Sequence, residues 1–211
     1  LASRYKMGDQ CLLGRLLQSA VQKDGVQASR LAVRLMEVAL GEEKLEFVAV
    51  LLRQGDDAVG PLTRLAAESG DWQSVVTALE ALGKLRAAAS VEVIVARLTD
   101  SNTWVRMAAA HALGEVGHSD AAQLLTAALN DTSDTVIAAV LVGLGRTGDE
   151  RALSPCIAYL AHPNPRVRGS AVSALGRLGG REAEIRLNGM FEDPDEGVRF
   201  KVDRALKAIQ R

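Results

Sequence analysis

The chain has 211 residues, with 48% hydrophobic but only 3% aromatic content, so its apolar mass is Ala, Leu and Val, which suits closely packed helices. Lys plus Arg number 25 against 26 Asp plus Glu, a net charge of −1, which leaves no global basic field to attract nucleic acid. No apolar run reaches the roughly 18 residues of a membrane helix and no secretory signal is visible. Cys11 and Cys156 lack Cys-x-x-Cys spacing, so two reduced thiols in a cytoplasmic setting are expected. The first residue is Leu1 rather than Met, as in a processed chain or one cut from something longer.

In chain order, residues 1–8 read as a lead-in. Asp9–Lys23 and Val26–Leu40 then read as amphipathic helices separated at Asp24-Gly25, with Leu12, Leu13, Leu16, Leu17 and Val21 at three- and four-residue steps in the first. Glu42–Gln54 and Asp57–Ser69 form the next pair, and Asp71 is placed to cap a helix over Trp72–Leu85. Ala-rich Arg86–Ser90 leads into a helix over Val91–Leu98. Three similar units follow, Thr103–Asn130, Thr135–Ala161 and Pro165–Glu192, and residues 195–210 make a last helix with a charged side.

The units share a 31-residue period. Leu82-Gly83, Leu113-Gly114, Leu144-Gly145 and Leu175-Gly176 repeat in step, as do Val105, Val136, Val167 and Val198, and Gly117, Gly148 and Gly179. A fixed period of this size marks a solenoid, in which no repeat buries its apolar face alone and stacked repeats share one core. The expected fold is all-α, with about thirteen helices. The array divides into a divergent N-terminal region over 1–55, regular repeats over 56–193 and a capping helix over 194–211. Gly117, Gly148 and Gly179 suit left-handed helix ends, and Pro165 suits a first helical position capped by Asn164.

The motif Asp100-x5-Arg106, with Val105-Arg106-x2-Ala109-x2-Ala112-Leu113-Gly114-x2-Gly117, resembles the HEAT-repeat superfamily, in particular its phycobiliprotein-lyase-like bacterial branch. Val167-Arg168-x2-Ala171-x2-Ala174-Leu175-Gly176-x2-Gly179 repeats it, and Val198-Arg199 begins it again. Ile137 replaces the arginine in the middle unit, and Lys207 replaces the glycine in the last helix. The resemblance is specific from about residue 71 onward. It implies a right-handed α-α superhelix of HEAT or armadillo type, with first helices on the convex side and second helices lining the concave side. It implies no single function, since the family spans scaffolds, transport factors, chromophore-lyase subunits and some enzymes.

With second helices on the concave side, Glu92, Ala96, Gln123, Ala127, Ser154, Ala158, Ile185 and Gly189 form the expected partner-binding surface. Trp72 and Trp104 form a second candidate. Trp104 shares its register with Gln73, Thr135, Arg166 and Gly197, which are polar or small, so both tryptophans are expected exposed near the starts of neighbouring first helices. Arg106, Arg168 and Arg199 stand in one register and are expected to form a structural ladder with Asp100, Asp131 or Asp193, because a planar guanidinium suits bidentate pairing with a carboxylate. An anion-binding stripe is the competing reading.

No catalytic, cofactor or metal residues are assigned. His111, His118 and His162 lack metal-ligand spacing and are not followed by glutamate, unlike the His-Glu pairs of HEAT-like deoxyhypusine hydroxylases. The acidic pairs Glu42-Glu43 and Asp56-Asp57 sit where helix dipoles favour them. The leading expectation is a non-catalytic scaffold that binds a protein or peptide, not nucleic acid, in an oligomeric state the sequence leaves open. The resemblance offers two alternatives: a chromophore-lyase subunit or tetrapyrrole chaperone, and a HEAT-like DNA-repair enzyme. The second needs a basic, aromatic-lined groove.

Overall fold

A computed structural model describes residues 25–38 and 43–210. Among these residues there are twelve helices and no strand. They are α1 Gly25–Val38, α2 Glu43–Gln54, α3 Asp56–Glu68, α4 Trp72–Lys84, α5 Val91–Ala96, α6 Thr103–Val116, α7 Ala121–Ala128, α8 Asp134–Thr147, α9 Leu153–Ala158, α10 Pro165–Leu178, α11 Gly180–Asn188 and α12 Glu196–Ile209. The chain is an α-α solenoid. The helix expected over Asp9–Lys23, and Cys11 with it, lies outside the described residues.

From Asp71 onward the two helices of each repeat differ in kind. The first helices have 13 or 14 residues and mostly begin on side-chain caps. Asp71 accepts from Gln73 N and Ser74 N, Asn102 from Trp104 N, Asn164 from Arg166 N, and Asp195 from Val198 N. Each cap satisfies amide donors that the first turn cannot pair internally. The second helices are shorter than expected. The α5 and α9 helices hold six residues each and pass through 3-10 turns at both ends.

One face of each helix enters the shared core. Leu82, Leu113, Leu144 and Leu175 in the first helices, and Ile94, Leu125, Cys156 and Leu187 in the second, are all 0% exposed. Burial pushes the Cys156 thiol up to about 12, so it packs as a small hydrophobe.

The glycine of each Leu-Gly pair is a point of backbone contact between neighbouring first helices. A Cβ on Gly83 would lie 2.9 Å from Ala112 Cα, one on Gly114 2.6 Å from Gly143 Cα, one on Gly145 2.6 Å from Ala174 Cα, and one on Gly176 2.9 Å from Ala205 Cα. The even-numbered helices α4 to α12 therefore stack almost backbone to backbone, whereas successive second helices touch only lightly. Glu92, Ala96, Gln123, Ala127, Ser154, Ala158, Ile185 and Gly189 are all exposed on the second-helix layer. Ala127 lines an open cleft of about 550 Å³ beside α5 and α7.

Candidate partner-binding surface

One face of the first helices is read off by the same 31-residue register. Near the helix starts run Gln73, Trp104, Thr135 and Arg166. Two turns further on come Glu80, His111, Val142, Ser173 and Arg204. At the helix ends stand Lys84, Glu115, Arg146 and Arg177. Ala108, Ala139 and Ser170 on the same helices are small and buried.

Trp104 is 60% exposed and Trp72 is 41% exposed, each at the start of a first helix. Phe200 on α12 is 62% exposed, with the Arg204 guanidinium 6.0 Å from its ring centre. Phe191 takes the register of Leu98, Leu129 and Leu160 but is exposed.

The arginine ladder is bound into the fold. Arg106 grips Asp131 with two nitrogens, Nε to Oδ2 at 2.7 Å and Nη2 to Oδ1 at 3.1 Å, and its Nη1 donates to the carbonyls of Asp100 and Ser101. Arg168 repeats this with Asp193, at 2.8 Å for both bonds, and with the carbonyls of His162 and Pro163. Hydrogen bonding to Asp131 raises the Arg106 pKa, and bonding to Asp193 raises that of Arg168. Asp193 is held below the usual carboxylate range by Arg168 despite its burial. At Asp131 burial opposes ionisation, but the hydrogen bonds from Arg106 and the Ser133 amide prevail, and its pKa also falls.

The middle repeat explains its own departure from the motif. Ile137 stands in the arginine register, and the acceptor position that holds Asp131 and Asp193 elsewhere is His162. His162 instead stacks on Tyr159 and lies 3.8 Å from Asp134, while Asn164 Nδ2 donates to Asp134. Donor and acceptor are replaced together, as a structural pair requires. Arg199 keeps its bonds to the carbonyls of Asp193 and Pro194, and no aspartate follows to close its fork among the described residues.

The histidines serve local structure. His111 is depressed in pKa by burial first and then by Arg146, whose Nη1 donates toward Nδ1 at 3.4 Å. His118 Nδ1 accepts from the Asp120 amide. Among the described residues no group of His, Cys, Asp and Glu is arranged to hold a metal, and no helix is long and apolar enough to cross a membrane.

The column Lys84, Glu115, Arg146 and Arg177 escapes the sequence reading. Its signal is there, since the four positions are 31 residues apart, but placing the first helices on the convex side takes them away from any partner surface.

Repeated capped helices, a continuous core and an arginine–aspartate ladder define a helical-repeat protein. Residues 59–142 and 128–207 match the HEAT repeats, most of the chain between them, so the chain belongs to the HEAT-repeat family. No curated protein matches it. Among solved structures it is similar to the complex of CpcE and CpcF of phycocyanin lyase from Nostoc sp. PCC7120, at 22% identity and TM-score 0.61, over 87% of this chain and 77% of that one. It is also similar to the designed armadillo repeat protein YIII(Dq)4CqI, at 21% identity and TM-score 0.52, over 93% and 99% of the two chains. A computationally designed armadillo repeat protein for modular peptide recognition matches at 19% identity and TM-score 0.52, over 93% and 98%. At these identities the likeness is one of fold.

Proposed function

We propose that this chain is a non-catalytic binding module for a partner protein or peptide, with the exposed second-helix face and the Trp72–Trp104 edge as its candidate surfaces. The carrying observation is Trp104, a large aromatic left 60% exposed at the start of its first helix, with Trp72, 41% exposed, at the start of the preceding one. Tryptophan is costly to leave in water and is enriched among residues that dominate binding energy. A non-catalytic role is supported by the buried Cys156 thiol and by histidines engaged in local contacts. The two thiols without a paired spacing support a cytoplasmic setting.

The test is affinity capture from native lysate with the wild type beside the Trp72→Ala, Trp104→Ala double variant. The variant is expected to lose more than about 2 kcal/mol of affinity for the captured partner, the size of a hot-spot loss. Undiminished capture by the double variant would overturn the tryptophan-edge assignment and leave the second-helix face. The alternative, a chromophore-lyase subunit or tetrapyrrole chaperone, has the shared fold with the CpcE–CpcF complex behind it. Incubation with a bilin would support it by a shift in visible absorbance.

A further inference from the structure

We propose that the cleft at the C-terminal ends of the first helices is a docking groove for an acidic segment of a partner protein, a short run of Asp and Glu side chains. This rests on the chain being a partner-binding module. The groove is an open cleft of about 620 Å³ at the ends of α4, α6, α8 and α10. Its cations are Lys84, Arg86, Arg146 and Arg177. Its one acid, Glu115, is neutralised by Arg146 at 2.9 Å. Lys84, Arg86 and Arg177 have no carboxylate partner among the described residues, which leaves three positive charges facing one cleft. Gly114 and Gly145 line it too, and glycine lets a ligand backbone lie close to the helices.

Cations in the last turn of a helix also answer the negative end of its dipole, which accounts for Lys84, Arg146 and Arg177 in part. It does not account for Arg86. This residue lies beyond α4 in the register of Gly117, Gly148 and Gly179, and it is held at a φ of 51°, the left-handed conformation that those glycines adopt without strain. It is the one residue other than glycine with positive φ among the described residues. A glycine would serve the turn better, so the arginine is retained against the local backbone preference, and its side chain faces the cleft.

The choice of carboxylate over nucleic acid follows from extent and from precedent within the groove. Four helices at the usual spacing of about 8–10 Å span about 24–30 Å, the length of about eight extended residues. The cleft's own cations are the four on these helix ends, too few for a long polyanion. Arg146 already holds a carboxylate there, that of Glu115.

The probe is a fluorescein-labelled octaglutamate peptide, followed by anisotropy at about 50 mM salt, where screening is weak. Wild type is expected to bind it saturably and to release it as salt rises, with octalysine not binding. The Lys84→Glu, Arg177→Glu double variant is expected to bind at least about tenfold more weakly. Arg86→Gly relieves the backbone and cannot be dismissed as unfolded, so it carries the sharper test. Its melting temperature is expected to hold or rise while octaglutamate affinity falls about threefold or more. No binding of octaglutamate by wild type, or binding by both variants as tight as by wild type, would overturn the proposal. So would tighter binding of an eight-nucleotide single-stranded DNA that is lost in the same variants. If octaglutamate fails while the lysate partner is still captured in a tryptophan-dependent way, only the acidic chemistry is wrong. If the tryptophan variant also captures normally, the tryptophan-edge reading fails with it.

Discussion

The first-helix and second-helix layers are built from the same kinds of residue in the same repeats, yet they obey different rules. From α4 onward the first helices are long, mostly capped and in backbone contact at Gly83, Gly114, Gly145 and Gly176. Second helices are short from α5 onward, and α5 and α9 pass into 3-10 turns. They use long-range side-chain struts. Tyr159 Oη donates to the Leu129 carbonyl, and Arg97, two repeats earlier in the same register, donates to the carbonyls of Ala66 and Ala67. A layer fixed by backbone contact has little freedom in spacing, whereas long side chains bridge a wider gap. The contrast shows that the glycines of the Leu-Gly pairs set how closely the first helices stack.

The comparison can be broken first at the core that the layers share. Leu144→Ala removes a leucine that is 0% exposed on α8 and is expected to cost about 2–5 kcal/mol. Chemical denaturation would measure it, and Leu113→Ala or Leu175→Ala should fall in the same range. Arg168→Ala comes next, at about 2 kcal/mol, because it leaves the Asp193 carboxylate poorly exposed and without its fork. This contribution depends on pH. The folded pKa of Asp193 is depressed, so the pair's stability is fully present above the unfolded carboxylate value and is lost as pH falls through the folded one. Stability plotted below about pH 4 should therefore fall more gently in Arg168→Ala than in wild type.

The layers can be separated with two glycines three residues apart. Gly114→Ala would set a Cβ 2.5 Å from the Gly143 carbonyl oxygen, and overpacking of that kind is expected to cost about 1–3 kcal/mol. Gly117→Ala meets nothing within 4 Å but must hold a φ of 77°, which costs about 1–2 kcal/mol. Asparagine tolerates the left-handed region, so Gly117→Asn should be milder than Gly117→Ala, whereas Gly114→Asn should be worse than Gly114→Ala. A Gly114→Asn variant that melts no lower than Gly114→Ala would mean that α6 and α8 are not in contact at Gly114.

Much of this architecture is legible in the residues alone. The period, the helix pairs after Asp71, the caps at Asp71 and Asn164 and the partners of Arg106 and Arg168 follow from residue types at fixed offsets, which act locally. The backbone contact between neighbouring first helices does not emerge that way, although its signal is present. Read as a string, the Leu-Gly glycines serve as markers of period, and only Gly117, Gly148 and Gly179 take a physical role. A glycine inside a helix, unlike one at its end, points to a neighbouring backbone. Arg86 is hidden for a different reason. A left-handed arginine looks like any other in a string of letters, and only its register with three glycines marks it.

The smallest expected effect on stability belongs to the variant that tests the second-helix layer. Gln123→Arg with Ala127→Glu places two charges on the exposed face of α7. The two positions stand four residues apart on one helix face, so the introduced guanidinium and carboxylate can pair with each other, and exposed pairs of this kind contribute only about 0.3–0.5 kcal/mol. The double variant should therefore melt close to wild type. If the second helices line the concave side, as the resemblance implies, the new side chains crowd the cleft that Ala127 lines, and partner affinity should fall. A stable variant that captures the partner with unchanged affinity would move the binding surface away from Gln123 and Ala127, with the Trp72–Trp104 edge next in line.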